Sequence, residues 1–327
     1  MTAPLAAPGS TRGTAPAPGP ARAESVRHAD VRAATVLDAV GQTPLMLVDD
    51  IWVKLEYLNP SGSIKARIAT YMIERAEREG LLRPGDTIVE ASSGNTGNAM
   101  SMVAAVKGYG MLVVMPDGMT DERLAISKAF GAEVLTVGNF HVNEALAKAS
   151  ELGEQPGHFA PQQFDSEWNV DENRTWLGPE LLAQLPAGVV PDALISGVGT
   201  GGTLVGVGEA LRAVNPECRL VGVEPDESCT LRCGEVGRHL LEGISDGFVP
   251  GIFGRHSAEI DELVSVESDA AIIEMRRLAC EHGLFVGPSS GAHMIAARSY
   301  REAHPEVEHV VTLLCDEGEK YINDYHR

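Results

Sequence analysis

The chain has 327 residues, of which 44% are hydrophobic, and this is enough apolar material for one large domain or two smaller ones. Its formal net charge of −20 argues against nonspecific binding to nucleic acid or to an anionic membrane surface. No apolar run approaches the length of a membrane span, so we expect neither a membrane nor a nucleic-acid partner.

The first 22 residues differ from the rest, because 14 of them are Ala, Pro or Gly. Such a segment buries too little apolar surface to offset the entropy lost on ordering, so residues 1–30 are predicted to form a disordered tail. The tail lacks the apolar stretch of a secretory signal, although its arginines leave a transit peptide open. We therefore expect a cytoplasmic protein with five free thiols, and no metal at Cys229 and Cys233, which lack a second pair.

Helix and strand patterns alternate through the first half of the chain that follows the tail. Apolar residues recur at helical spacing from Ile64 to Ala76, and Gly80 with Pro84 ends this helix. The pattern continues with a strand at 87–90, a helix at 95–107, a strand at 111–115, a helix at 122–130, a strand at 133–137 and a helix at 142–152.

The second half repeats this alternation. It has a strand at 192–196, a helix ending near 214, a strand at 219–223, helices near 269–282 and 290–303, and a strand at 309–314. Short apolar strands separated by helices are typical of mainly parallel sheets covered on both faces. Because the glycine-rich loop after residue 196 opens a new series, we predict two three-layer α/β domains with a cleft between them.

The glycine-rich loop Gly197–Thr203 lies between a predicted strand and a predicted helix. Its glycines permit a tight turn, and the free N–H groups of a helix N-terminus attract an anion such as phosphate. A tight turn without a ligand remains an alternative interpretation. A dinucleotide site is another, because the acidic Glu224 follows at a suitable distance.

A second loop, Ser92–Gly97, also joins a strand to a helix. Its hydroxyl and amide groups suit a carboxylate or a phenolate-like oxygen, although Ser and Asn also serve as ordinary helix caps.

Lys65 follows Pro60–Ser63 at a helix start, where the helix dipole disfavours a positive charge. This placement suits a lysine that reacts as a neutral amine in Schiff-base chemistry, whereas a solvated surface lysine is the alternative. One amine and two loops rich in N–H groups are together what an anionic aldehyde cofactor requires.

Four motifs occur in one order: NPSGSIK at 59–65, SSGNTG at 92–97, GVGTGGT at 197–203 and GPSSGA at 287–292. In these motifs the chain resembles the pyridoxal-phosphate enzymes of the cysteine synthase and cystathionine β-synthase group, which have the tryptophan synthase β-like fold type II.

The resemblance, over about residues 35–321, implies a homodimer with its cofactor in the cleft between two domains. The large, cofactor-binding domain would comprise residues 31–54 and 161–327. Residues 55–160 would form a small mobile domain that receives the substrate carboxylate.

The resemblance also implies roles for individual residues. Lys65 would bind pyridoxal 5'-phosphate as a Schiff base and move the α-proton, Asn95 would contact the cofactor's 3-oxygen, and Ser289 would face its pyridine nitrogen. The residues that would cradle the phosphate are Gly199, Thr200, Gly201, Gly202 and Thr203. The residues that would receive the substrate are Ser92, Ser93, Gly94, Thr96, Gln163 and Gly243.

A neutral Ser289 would leave the cofactor a weaker electron sink than an aspartate would, which favours β-replacement over transamination. The resemblance implies that sulfide replaces the leaving group of an O-activated serine, O-acetyl-L-serine above all, to give L-cysteine. Glu242 would repel a phosphate ester, although Arg232 and Arg238 lie close in sequence.

Other functions stay open at this point. The stretch Phe164–Asn169 departs from the family pattern beside the cleft, which leaves the nucleophile undecided. Ammonia or an amine would give diaminopropionate-type products, and homocysteine would give cystathionine. A serine or threonine dehydratase and a catalytically silent binding protein are the remaining alternatives.

Overall fold

The computed structural model describes residues 34–92, 94–117, 121–138 and 142–325, with the backbone alone for 121–124. The tail predicted at residues 1–30 and the predicted substrate residue Ser93 therefore lie outside the described residues. By its internal contacts Thr35–Arg327 forms one unit, and its finer division into a large and a small domain stays a prediction.

Ten strands form two sheets in the described ranges. In chain order they are β1 Leu45–Val48, β2 Ile51–Lys54, β3 Thr87–Ala91, β4 Gly110–Pro116, β5 Glu133–Val137, β6 His158–Phe159, β7 Ala193–Gly197, β8 Arg219–Pro225, β9 Glu262–Val266 and β10 Val310–Leu313. One sheet has the order β1-β2-β10-β7-β8-β9 and the other the order β5-β4-β3-β6. Only the β1–β2 pair is antiparallel among these described strands, so the prediction of mainly parallel sheets is confirmed.

The helices connect successive strands. In chain order they are α1 Lys65–Arg78, α2 Asn95–Lys107, α3 Asp121–Ala129, α4 Val142–Gly153, α5 Glu167–Glu172, α6 Gly178–Gln184, α7 Gly202–Arg212, α8 Gly251–His256, α9 Ser268–His282, α10 Pro288–Ala303 and α11 Ile322–Tyr325. A π-helical turn, Asn173–Leu177, joins α5 to α6. No helix in the described ranges is both long and apolar enough to cross a bilayer.

Both sheets are covered on two faces, which confirms the three-layer prediction. In the four-stranded sheet, Ile88 packs with α1 and α2, whereas its neighbour Val89 packs with α4. In the six-stranded sheet, Ile195 packs with α9 and α10, whereas Leu194 packs with α6 and α7. This alternation follows from the two-residue period of a strand, and it requires strands that are apolar throughout.

The topology brings the motifs together. The loops from β3 to α2 and from β7 to α7 both leave the carboxyl ends of parallel strands, which is where open α/β sheets bind ligands. The start of α1 is anchored to the end of β10, because Ile64 N donates to Cys315 O at 2.9 Å.

The expectation of five free thiols is wrong for one pair. Cys229 and Cys233 form a disulfide in the loop after β8, with their Cα atoms 5.2 Å apart. The buried Glu224 carboxylate accepts from Leu231 N at 2.8 Å and from Arg232 N at 3.2 Å, which folds the loop back and brings the two cysteines together. Irregular spacing in the sequence gave no sign of this local turn.

Candidate active site

A cavity of about 400 Å³ brings the predicted site residues together. Its wall includes Lys65 at the start of α1, Asn95 at the start of α2, and Thr200 ahead of α7. A smaller cavity shares these three residues and extends to Ser289 at the start of α10. Segments that are far apart in sequence therefore surround one space.

The lining contains most of the predicted residues. Those in the larger cavity are Lys65, Ser92, Gly94, Asn95, Thr96, Gln163, Gly199, Thr200 and Gly243. The smaller cavity adds Gly201, Thr203 and Ser289. Gly202 is the first residue of α7 and lies outside both linings. The chemical role of each residue stays a prediction at this point.

Lys65 presents its amine to the cavity. Within the described part of the chain, this amine has neither a hydrogen-bond nor an ion-pair partner. The preceding segment is held in place, since Ser63 pairs with Asp316 in an isolated bridge and Ser61 adopts a left-handed φ of +69°. A fixed backbone that carries an amine without a partner suits covalent chemistry with a carbonyl.

The loop before α7 has no room for side chains at its glycines. A Cβ on Gly199 would lie 2.4 Å from Gly243 O, and one on Gly202 would lie 2.2 Å from Asn169 Oδ1. Gly201 also needs its φ of +90°. The loop is therefore a backbone cradle at a helix N-terminus, which fits the phosphate of the predicted cofactor.

The loop before α2 is organised around Ser92. Its side-chain oxygen accepts from Gly94 N at 3.1 Å and from Gly97 N at 2.8 Å, so its hydroxyl hydrogen stays available to a ligand. Thr96 Oγ1 donates to Gln163 Oε1 at 2.6 Å. Gln163 Nε2 in turn donates to Ala91 O at 3.1 Å, which leaves its second hydrogen free for a carboxylate.

His293 lies one turn after Ser289 on α10, and its imidazole is held in one tautomer. Its Nε2 accepts from Gly197 N at 2.6 Å, and its Nδ1 donates to Leu313 O at 2.8 Å. Burial lowers the pKa of His293 to about 4, although the bond to Leu313 O opposes this shift. His293 is thus neutral at physiological pH, and it supports the backbone that leads into the glycine-rich loop.

Four carboxylates are among the residues that line the larger cavity. They belong to Glu242, Asp246, Glu317 and Glu319. Among the described lining residues there is no arginine, and the exposed Arg232 instead donates to Ser265 Oγ at 3.0 Å.

Trp168 in the divergent stretch and Trp176 shortly after it line neither cavity. Trp168 lies under Arg75, with 4.9 Å between the guanidinium carbon and the ring centroid, and Trp176 lies under Arg67 at 5.4 Å. Among residues 164–169, only Phe164 reaches the cavity wall.

Three further residues of the site were missed in the sequence. Asn169 donates to Thr200 Oγ1, and Asp316 and Lys320 bond to Asn95. Asp316 and Lys320 are more than 200 residues from Asn95, so no local spacing pattern points to them. Asn169 and Asn173 are four positions apart, as on one face of a helix, and this spacing was the available sequence signal that Asn169 belongs to a polar contact.

The residues present fit pyridoxal phosphate. An amine without a partner, a glycine cradle for an anion and the neutral Ser289 hydroxyl meet in one place. Comparison with known proteins agrees, because a family model described as pyridoxal-phosphate dependent enzyme matches residues 36–316.

Known relatives match nearly the whole chain. Cysteine synthase of Staphylococcus aureus is 44% identical over 298 residues, which cover 88% of this chain and 95% of that protein. O-ureido-L-serine synthase of Streptomyces lavendulae is 40% identical over 299 residues, with 89% and 91% covered. A crystal structure of O-ureido-L-serine synthase is similar with a TM-score of 0.83 at 39% identity, covering 90% of this chain and 95% of that one.

These matches confirm the predicted cofactor and the predicted fold type. The chain belongs to the pyridoxal-phosphate dependent enzymes of fold type II, and within them to the enzymes that carry out β-replacement.

Proposed function

We propose that the enzyme replaces the β-substituent of O-acetyl-L-serine with sulfide to give L-cysteine. The observation that carries this proposal is the convergence of Lys65, Asn95, Ser92 and Thr96 on one cavity. The relative named cysteine synthase, which is 44% identical over most of both chains, supports the same product.

Lys65 has two tasks in this proposal. Its amine would hold the cofactor covalently, and as a free base it would remove the α-proton of the substrate. Bound pyridoxal phosphate supplies the electron withdrawal that makes this proton acidic. After the nucleophile has added, Lys65 would return this proton to the α-carbon.

Ser92, Thr96 and Gln163 receive the substrate carboxylate in this proposal, with Thr96 acting through its backbone N–H because its hydroxyl hydrogen goes to Gln163. The free hydrogens of Ser92 and Gln163 are donors, and the N-terminus of α2 favours an anion. We propose that residues 55–160 then move toward the rest of the protein and exclude water from the reacting atoms.

The cavity chemistry favours an acetyl over a phosphate leaving group. Four carboxylates line the cavity against the amines of Lys65 and Lys320, and no arginine does so among the described residues. A doubly charged phosphate ester would meet net repulsion there, because Lys65 is reserved for the cofactor and the hydrogens of Lys320 already have protein acceptors.

One experiment tests this proposal. The purified protein with pyridoxal phosphate is given O-acetyl-L-serine and sulfide, and cysteine is measured against a parallel reaction with O-phospho-L-serine. We expect cysteine from the acetyl ester and much less from the phosphate ester. Borohydride reduction and peptide mapping should place the cofactor on Lys65. No cysteine from either ester would refute the proposed reaction.

A second candidate differs only in the nucleophile. The same carboxylates disfavour an anion such as hydrosulfide and tolerate a neutral or cationic amine. A 40% identical relative is named O-ureido-L-serine synthase, so related enzymes make a product other than cysteine. Offering sulfide, homocysteine and small amines in competition decides between the nucleophiles, and pyruvate released without any nucleophile would indicate a dehydratase.

We further propose a cytoplasmic homodimer whose partners are small molecules. Light scattering on the purified protein tests the dimer, since a monomer mass at micromolar concentration would contradict it.

A further inference from the structure

The turn Asp316–Tyr321 reaches Asn95, although 221 positions separate Asp316 from Asn95. Asn95 Nδ2 donates to Asp316 Oδ2 at 2.7 Å. Lys320 Nζ donates to Asn95 Oδ1 at 2.8 Å. Two opposite charges thus hold the two ends of one amide.

These charges determine which way the Asn95 amide faces. If the amide turned over, its oxygen would face the Asp316 carboxylate and its NH₂ group would face the Lys320 ammonium, and both contacts would be repulsive. In the observed orientation, Oδ1 accepts from Lys320 and one Nδ2 hydrogen goes to Asp316. The remaining N–H is a donor, so a ligand beside it must offer an acceptor such as a phenolate oxygen.

Lys320 also holds the segment that precedes Lys65. Its Nζ donates to Ser61 O and to Gly62 O, each at 2.9 Å. With the bond to Asn95, all three ammonium hydrogens have acceptors. The Lys320 side chain is only 10% exposed, so it is part of the site and not a solvated surface charge.

Asp316, which accepts from Asn95, is also held in place. Asp316 is 1% exposed, and Tyr321 OH donates to its Oδ2 at 2.5 Å. Burial lowers the pKa of the Lys320 amine, and the carboxylates of Asp316 and Glu317 oppose this shift only in part.

We propose that Lys320 is a positioning residue that presents Asn95 as a donor to the 3-oxygen of the cofactor and ties it to the segment before Lys65. This inference rests on the proposed function only for Asn95's contact with the cofactor. It is independent of the substrate and of the nucleophile. Losing Lys320 removes one of the two contacts that hold the Asn95 amide in this orientation, which weakens the cofactor contact and changes the cofactor's electronic environment.

The test compares Lys320→Met with the wild type and with Lys320→Arg, which keeps a charged donor. The readouts are the affinity of the apoprotein for pyridoxal phosphate and the visible absorption maximum of the bound cofactor. We expect Lys320→Met to bind about tenfold more weakly with a shifted maximum, and Lys320→Arg to recover most of both. Lys148→Met is the matched control, because Lys148 pairs with Glu151 on the surface of α4.

A double-mutant cycle separates positioning from general stability. If Lys320 acts through Asn95, Lys320→Met adds nothing to the affinity loss or spectral shift of Asn95→Ala. Additive effects, or an unchanged maximum and affinity in Lys320→Met, would overturn the proposal. Lys320→Gln provides the same comparison if the Met variant does not fold.

The cycle also separates this inference from the proposed function. A wild-type protein that binds pyridoxal phosphate but makes no cysteine leaves the role of Lys320 intact. An Asn95→Ala variant with wild-type affinity and spectrum would overturn the role of Lys320 and leave β-replacement untouched.

Discussion

Asn169 Nδ2 donates to Thr200 Oγ1 at 3.0 Å, and this bond joins α5 to the loop that precedes α7. Gly202 N donates to the same oxygen at 3.2 Å. The acceptor sites of Thr200 are therefore occupied from within the protein, and its hydroxyl hydrogen is left to donate to a phosphate. Asn169 is fully buried and stands in the segment that departs from the family pattern.

Replacing Asn169 with Ala should weaken cofactor binding about tenfold, because Thr200 loses the partner that orients its hydroxyl. Equilibrium titration of the apoprotein with pyridoxal phosphate measures the change. Asn215→Ala is a control, since Asn215 donates to Pro191 O away from the cavity. Equal losses of affinity in the two variants would show that general destabilisation, and not the Thr200 contact, is responsible.

A Gly199→Ala variant should lose cofactor binding almost completely. Its new Cβ would lie 2.4 Å from the backbone oxygen of Gly243, and backbone on both sides prevents an easy shift. Dialysed protein should then contain little bound cofactor by absorbance. Gly254→Ala offers a matched control, because its Cβ would meet only Val249 Cγ1 at 3.9 Å. Full cofactor content in Gly199→Ala would contradict the backbone cradle.

The stability of the protein should fall as pH rises from about 5 to 9, in part because of Glu172. Burial raises the pKa of Glu172 to about 8 from its ordinary value of 4.5, although Arg67 opposes the shift. The folded state therefore holds a proton that the unfolded state has lost between these values. This stabilising contribution is complete at low pH and disappears as pH rises through about 8.

Glu172→Gln should reduce this pH dependence, because the amide does not ionise. Denaturant unfolding at several pH values between about 5 and 9 measures the slope, and the variant should be more stable than the wild type at the alkaline end by about 1–3 kcal/mol. An unchanged slope would mean that Glu172 is ionised in the folded protein.

The disulfide predicts a specific thiol count. Denatured protein without a reductant should expose three thiols, those of Cys218, Cys280 and Cys315, and a reductant should raise the number to five. In the folded protein Cys280 should react first, because burial raises the pKa of Cys218 and of Cys315 to about 12. Five thiols in protein purified without a reductant would contradict the Cys229–Cys233 bond.

Much of the fold was predictable because central parallel strands are apolar on both faces. Thr87–Ala91 and Ala193–Gly197 are such strands, and the sequence analysis placed both within a residue or two. The antiparallel pair β1–β2 and the edge strand β9 were missed. β1 and β2 are largely apolar but only four residues long, and β9 is partly exposed and interrupted by a serine. The two-residue strand β6 is too short for any periodicity to indicate it.

The same distinction holds for the site: contiguous motifs were predictable from the sequence, whereas contacts made only by the tertiary fold were not. Lys65 and the two loops were found because each motif is contiguous, and the cofactor they predict is confirmed. Asp316 and Lys320 were missed because they meet Asn95 only through the tertiary fold. The pair Cys229 and Cys233 was misjudged, because local backbone geometry rather than spacing decides whether two thiols meet.

The position of β10 in the six-stranded sheet has a consequence for how the polypeptide is made. β10 lies between β2 and β7, and no other described strand joins the two halves of that sheet. During synthesis, the β1–β2 hairpin and strands β7–β9 cannot be joined in one sheet until β10, which ends at Leu313, has left the ribosome. The six-stranded sheet is thus completed only after β10 has been synthesised, and cofactor binding must follow that step.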